Sequence, residues 1–334
     1  MISPAPVRIG RGGLSAPPIG YGAAALGNLY SALAEDAWPE VVPAAWAGGV
    51  RYFDVAPHYG LGLAERRLGE SLRGVPREEY IVSTKVGRLL EPQDARGRDD
   101  LANLFDVPAD HRRVRDYSRD GVRRSIDDSL TRLGLDRIDL VLVHDPDDFE
   151  TEALEGAFPA LSELRAEGVI TSFGAGMNQS PMLARFVRET DADVMMVAGR
   201  LTLLDQSAAD DLLPIAEERN VSVLAAAVFN SGILATDAPA ESSTFDYGPA
   251  AGALVTKART MAAIARRYDR TLPELAAQYP LRLPAVAAIV VGGASAQHLA
   301  RNSRLLERPV PEETWVQLRE EGLLPLDRAP ARQP

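Results

Sequence analysis

Eight times along this chain, a short run of apolar and β-branched residues ends in a polar residue or a glycine. The runs are Ile19–Gly22, Arg51–Ala56, Tyr80–Val86, Ile138–Asp145, Ile170–Gly176, Val194–Arg200, Val221–Val228 and Ala288–Gly293. Strands that read as near-continuous apolar runs are buried on both faces, which is the mark of a parallel sheet covered by helices. Helical spacing fills the intervals at Glu35–Ala47, Leu63–Leu72, Ser118–Leu133, Thr151–Ala166, Pro181–Glu189 and Ala208–Asn220, with Ser118 as an N-cap and Asn220 as a stop. Eight βα units in order predict an α/β fold closed into a (β/α)8 TIM barrel. A doubly wound sheet would want a glycine fingerprint after the first strand and an acidic residue further on. The segment Gly20–Ala25 (GYGAAA) lacks the third glycine, and no such acidic partner follows.

The length of 334 residues suits one barrel with insertions, so a single domain over 1–334 is expected, with its core at about 17–306. Two segments break the regular spacing, Gly87–Tyr117 after the third strand and Ser231–Ala251 after the seventh. Long loops at the C-terminal ends of barrel strands shape the substrate mouth. The formal net charge of −11 argues against a nucleic-acid groove, which needs a basic stripe. The absence of cysteine removes disulfides, zinc–cysteine sites and thiol chemistry, and no metal site is expected. Met1–Gly13 has no apolar core of signal-peptide length, and no apolar run is long enough to span a bilayer. A cytoplasmic protein with a small-molecule substrate is the expectation, with Arg328–Pro334 as a frayed tail.

Polar residues at the C-terminal ends of barrel strands face the active-site mouth. Asp54 ends the second run, Tyr59 follows it, Lys85 sits inside the otherwise apolar third run, and His144 ends the fourth. Singly, each has an ordinary reading as a cap, a packing residue or a solvated charge. Together they form a device. Lys85 would be costly to bury unless paired, and Asp54 is the natural partner. An ammonium held beside a phenol is expected to lower the pKa of Tyr59 toward working pH, while His144 orients a substrate oxygen or relays a proton.

The string Tyr52–Gly69 (YFDVAPHYGLGLAERRLG) resembles the second-strand signature of the aldo-keto reductases, and the resemblance runs from about Ile19 to Asn302. It implies a catalytic tetrad of Asp54, Tyr59, Lys85 and His144 and a nicotinamide cofactor. The segments LTRLGLDRIDLVLVHDPDD, ending at Asp148, and Val197–Gln206 (VAGRLTLLDQ) are similar to the aldose-oxidising branch, which includes the L-fucose, D-threo-aldose and L-galactose dehydrogenases and pyridoxal 4-dehydrogenase. The resemblance implies cofactor contacts at Gly22, Ala23, Asp54, Asn178, Leu201, Phe229, Asn230, Ser231, Gly232, Gly292, Gly293, Ser295, His298 and Asn302. Met177 stands where many relatives have serine, and Leu201 where many have an aromatic ring. NADPH-preferring relatives place cationic or hydroxyl groups near Gly292, Gly293 and His298. Their replacement here leans toward NAD over NADP, with Arg301 and Arg304 nearby. Asn28, Tyr30, His58 and Tyr247 lie in loops expected to face the substrate, whereas His111 reads as solvated and Trp38 and Trp46 as helix packing.

The function implied is hydride transfer between NAD or NADP and an aldose or similar alcohol or carbonyl, oxidising an aldose C1 hydroxyl to a lactone. An NADPH-dependent reductase of aldehydes or ketones acting on a secondary metabolite is the alternative within the enzymes. A cofactor-sensing regulatory subunit is the alternative outside them.

Overall fold

The computed structural model describes residues 5–325; the tail Arg328–Pro334 lies outside them. All eight expected strands are present: β1 (Ile19–Gly22), β2 (Tyr52–Asp54), β3 (Ile81–Val86), β4 (Leu140–His144), β5 (Ser172–Met177), β6 (Val194–Ala198), β7 (Ser222–Ala226) and β8 (Val286–Gly292). Each pairs in parallel with its neighbour in sequence, and β8 pairs with β1, so the sheet closes into a (β/α)8 barrel. Among the described residues no helix is long and apolar enough to cross a membrane.

Alternation along the strands divides the apolar residues between two cores. Tyr52, Ile81, Leu140, Leu142, Val194, Met196, Leu224, Ala288 and Val290 pack inside the barrel. Their neighbours one residue away, such as Phe53, Val82, Val141, Met195 and Ile289, pack outward against the helices. The inner core is closed at its N-terminal end by a hairpin, Val7–Ile9 with Leu14–Ala16, whose Ile9 and Ala16 join the interior cluster. The Gly10 amide donates to Ser222 Oγ at 2.9 Å and ties this plug to β7. Gly20 makes room for the large ring of Tyr52, since a Cβ there would stand 2.5 Å from it.

Two helix expectations need correction. Glu35–Ala47 is helical only from Val41, after a 3-10 turn at Trp38–Glu40. Glu35 stays outside because its carboxylate accepts from Trp38 Nε1 and from Arg67. Thr151–Ala166 is interrupted by a π turn at Ala153–Ala157. Gly156 lies in that turn, where a Cβ would stand 2.4 Å from the Tyr117 carbonyl, so close approach to the preceding insertion coincides with the irregularity. Ser118 caps Arg119–Leu133 by accepting from the Gly121 amide, as its position suggested. Asn220 ends its helix with a φ of 54°.

Both insertions carry structure of their own. Arg88–Pro92 pairs antiparallel with His111–Arg115, and Asp99–Asp100 with Phe105–Pro108. The second insertion folds back as a short hairpin, Thr244–Phe245 with Gly248–Pro249, anchored where Thr244 Oγ1 donates to the Ser231 carbonyl at 2.6 Å.

Candidate active site

The inward-facing residue nearest the C-terminal end of each strand is Gly22, Asp54, Lys85, His144, Gly176, Ala198, Ala226 or Gly292. All eight line one cavity of about 420 Å³. The ionisable residues come from the adjacent strands β2, β3 and β4. The other five are glycine or alanine, so one side of the floor is charged and the other is flat and apolar.

On the charged side, Lys85 Nζ donates to both Asp54 oxygens at 2.8 and 3.0 Å and to the Val55 carbonyl at 3.0 Å. Lys85 and Asp54 are only 2% and 3% exposed, so neither charge is tolerable without the other. Ser83 Oγ adds a hydrogen bond to Asp54 Oδ1 at 2.7 Å, and Tyr52 closes the chain through Ser83 at 2.9 Å. Burial works against the Lys85 ammonium, but Asp54 and Tyr59 more than offset it, and the pKa of Lys85 lies above its ordinary value. The ammonium is 4.9 Å from the centre of the Tyr59 ring, close enough for its charge to act on the phenol.

The expected lowering of the Tyr59 pKa is not found. Burial pushes it up to about 12; Lys85 pulls it down but does not compensate, and Asp54 and Asp145 push it further up. The phenol is therefore neutral at pH 7 and equipped first as a proton donor. His144 is held well below its ordinary pKa by burial and by the cations Arg88 and Lys85. A neutral imidazole suits a hydrogen-bonding role toward a substrate oxygen rather than a relay through imidazolium. Its ring centre is 5.9 Å from that of Tyr59.

A second cavity of about 620 Å³ shares Gly22, Asn178, Val290 and Gly292 with the first. Phe229, Asn230, Ser231, Gly232, Gly293, His298 and Asn302 line it, together with Ala24 and Arg301. These residues suit a dinucleotide. The loop after β7 takes left-handed conformations at Asn230, Ser231 and Gly232. Asn302 donates to the Gly292 carbonyl at 2.9 Å and Asn230 to that of Gly199 at 3.3 Å. Both leave a buried amide oxygen without a partner among the described residues, so two acceptors lie ready on residues of this cavity. Asn178 donates to the Ala198 carbonyl at 3.2 Å, and buried Met177 lines the first cavity. Ser295 caps Ala296–Asn302 by accepting from the His298 amide.

Four expected contacts are placed elsewhere, the first being Ser295, which sits at the cap of Ala296–Asn302 and lines neither cavity. Leu201 is buried in the outer core and lines neither cavity, because the chain turns inward there; Ala198 and Gly199 face the cavities from this segment instead. Ala23 is likewise fully buried, and Ala24 takes the cavity wall. Asn28 is buried with its amide engaged: Oδ1 accepts from Arg67 at 2.7 Å and from the Leu33 amide at 3.1 Å, and Nδ2 donates to the Asp106 carbonyl. It joins the first loop to the insertion and lines neither cavity. Tyr30 and Tyr247 are exposed on the cavity rim, and His58 lines the inner cavity. Asp145, Arg88 and Arg113 were not singled out from the sequence, yet Asp145 lines the inner cavity and the two arginines hold residues of its wall.

A phenol, a paired ammonium and a neutral imidazole meet where a small cavity joins one of nucleotide size, which is the equipment of an oxidoreductase that exchanges hydride with a nicotinamide. The chain belongs to the Aldo/keto reductase family, whose model matches residues 18–321. It is 46% identical over 316 residues to D-threo-aldose 1-dehydrogenase from a Pseudomonas species, covering 94% of this chain and 96% of the relative. Pyridoxal 4-dehydrogenase from Microbacterium luteolum is 39% identical over 334 residues, covering 95% and 97%. The solved structure of an aldo-keto reductase from Bacillus halodurans in its holo form matches with a TM-score of 0.73 at 25% identity, with 95% of each chain covered.

Lys85→Met strands the Asp54 carboxylate in the interior and is expected to lower stability by about 3–5 kcal/mol. Asp54→Asn/Lys85→Met removes both charges and is expected to recover most of that loss. Urea unfolding of both variants checks this, and a double variant no more stable than the single would contradict the pairing.

Proposed function

We propose that the enzyme oxidises the C1 hydroxyl of an aldose to the lactone, with Tyr59 as the proton-transfer residue. The observation that carries this reading is the placement of Tyr59, Lys85 and His144 on one side of a cavity whose remaining floor, Gly22, Gly176, Ala198, Ala226 and Gly292, is glycine and alanine. The names of the two relatives support an alcohol or carbonyl of a polar small molecule as the substrate. A bound nicotinamide supplies the hydride acceptor in oxidation and the hydride donor in reduction. Asn178, Phe229, Asn230, Ser231, Gly232, Gly292, Gly293, His298 and Asn302 are the residues proposed to hold it.

The chain's own part is protonic and electrostatic. In oxidation, the phenolate of Tyr59 takes the C1 hydroxyl proton as the C1–H bond breaks with its electron pair, and the C1–O bond becomes the lactone carbonyl. Lys85 stabilises the phenolate, Asp54 holds Lys85 in place, and neutral His144 hydrogen-bonds the reacting oxygen. Because burial keeps the phenol neutral at pH 7, oxidation is expected to quicken as the pH rises. The same neutral phenol favours the second reading, in which the site runs in reverse as an aldehyde or ketone reductase. Tyr59→Phe is expected to lose at least about a thousandfold in kcat in both directions, with cofactor affinity nearly unchanged. Chromatography for lactone, alongside the assay in the reductive direction, separates the two readings. Near-normal turnover in Tyr59→Phe would remove the assignment.

The cofactor leaning follows from the outer cavity. Gly292 and Gly293 offer no side chain to a 2′-phosphate, which favours NAD. Arg301 lines this cavity and forms no ion pair among the described residues, so it is the group proposed to sustain residual use of NADP. Arg301→Ala is expected to raise KM for NADP about tenfold and to change that for NAD less than about twofold. Equal effects on the two cofactors would contradict the proposal. A cytoplasmic location and a domain core at about 17–306 belong to the same reading.

A further inference from the structure

Two residues of the inner cavity have their hydrogen-bonding character fixed from behind by arginines of a single β-ladder. In that ladder Leu90 faces Arg113 and Arg88 faces Arg115. Arg113 Nε donates to His58 Nδ1 at 2.5 Å, and its Nη2 donates to the His58 carbonyl at 3.1 Å. The guanidinium is itself clamped by Asp100, buried at its far side, through contacts of 2.8 and 2.5 Å. Arginine can only donate. The lone pair of Nδ1 is therefore in use, and the proton of the neutral ring belongs on Nε2. Among the described residues that nitrogen has no partner, and His58 lines the inner cavity. His58 thus presents a donor and no acceptor.

Asp145 is the mirror case. Arg88 Nη2 donates to its Oδ2 at 2.6 Å, while Oδ1 has no partner among the described residues. A carboxylate oxygen can only accept, so Asp145 presents an acceptor to the same cavity. Its backbone has a φ of 40°, in the left-handed region that aspartate tolerates better than most side chains. The Asp145 amide is tied to the Gly176 carbonyl at 3.1 Å, and its carbonyl accepts from Arg115 at 3.0 Å. His144 lies beside both: its ring centre is 5.7 Å from that of His58, and its Nε2 is 3.5 Å from Asp145 Oδ2.

A hydroxyl is the simplest group that both accepts and donates. An alkyl group does neither, and on entering the cavity it would leave one donor and one acceptor without water or partner. We propose that His58 and Asp145 form a donor–acceptor pair that reads a hydroxyl on the carbon next to the reacting carbon, making the enzyme selective for α-hydroxy carbonyls and their reduced or cyclic forms. The inference rests on the inner cavity being where the carbonyl or carbinol carbon reacts, and not on the direction of the reaction or on an aldose being the substrate. Arg88 and Arg113 are positioning residues in this scheme. The insertion after β3 selects substrate by fixing a tautomer and orienting a carboxylate, without touching the substrate through those arginines.

The test compares reduction of lactaldehyde with reduction of propanal, which differ only by the α-hydroxyl, using the whole enzyme with NADH or NADPH. The readout is the ratio of the two kcat/KM values, whatever the absolute rates of each variant. Asp145→Asn must turn its amide oxygen to Arg88 and its NH2 to the cavity, exchanging acceptor for donor. His58→Phe removes the donor, and His58→Gln can accept from Arg113 while keeping one. The wild type is expected to favour lactaldehyde, with the ratio falling about tenfold in Asp145→Asn and in His58→Phe and largely restored in His58→Gln. A wild-type ratio that does not favour lactaldehyde, or one that stays the same in both Asp145→Asn and His58→Phe, overturns the proposal. Lactone assays on aldoses report separately. If no aldose yields lactone but the ratios fall as described, the aldose reading fails and this inference stands. If lactone forms and the ratios do not move, the reverse holds.

Discussion

The buried ion pair of Lys85 and Asp54 is the interaction on which the rest of the site depends. An ammonium in a barrel interior is costly, and it persists here because two carboxylate oxygens and a backbone carbonyl surround it. The pair also joins two adjacent strands at their active ends. Residues 81, 83 and 85 of β3 share the inward face, as do 52 and 54 of β2. Ile81 and Tyr52 on these faces fill the core, while Ser83 and Lys85 bond Asp54. The period of two that builds the hydrophobic interior thus also delivers the charges to one point. Tyr59 stands over that point, and its proton responds to Lys85 and Asp54 in opposite senses.

Around this pair the molecule divides its labour. Strands β5 to β8 and β1 each place glycine or alanine last on the inward face and leave the cavity floor open beside the charged wall. The loop after β7 and the turn after β8 widen it into a chamber of nucleotide size. The insertion after β3 supplies cations that never reach the cavity centre but govern what its wall offers. Arg88 and Arg113 hold Asp145 and His58; burial keeps His58 and His144 neutral, aided by Arg88 at both rings and by Arg113 at His58. Catalytic placement comes from the strands, and selectivity from the insertions.

The barrel and the placement of Asp54, Tyr59, Lys85 and His144 at its mouth were legible in the sequence because both follow from short-range order: apolar runs mark strands, and polar residues at their ends mark the mouth. Asp145 escaped notice because it sits one position beyond His144, out of phase with the inward face, and reaches the cavity only through its unusual backbone. Arg113 read as one more charge in a charged loop, since the pairing of Arg88–Pro92 with His111–Arg115 leaves no spacing signal. Leu201 and Ala23 were expected from the resemblance to a family pattern and Asn28 from its place in a loop, and packing in this chain turned each away from the cavities. The Tyr59 pKa was misjudged for a related reason. The lysine was visible in the sequence, but the weight of burial against it depends on the folded surroundings.

The dependence of Tyr59 on the ion pair is most directly tested by the pH profile of kcat for oxidation in the wild type and in Asp54→Asn. Asp54 raises the phenol's pKa, so removing its charge while Lys85 remains should lower it. The account predicts that the pH at which the oxidation rate levels off moves downward in Asp54→Asn. A profile that keeps its position, or moves upward, would contradict the claim that the pair of Lys85 and Asp54 controls the proton on Tyr59.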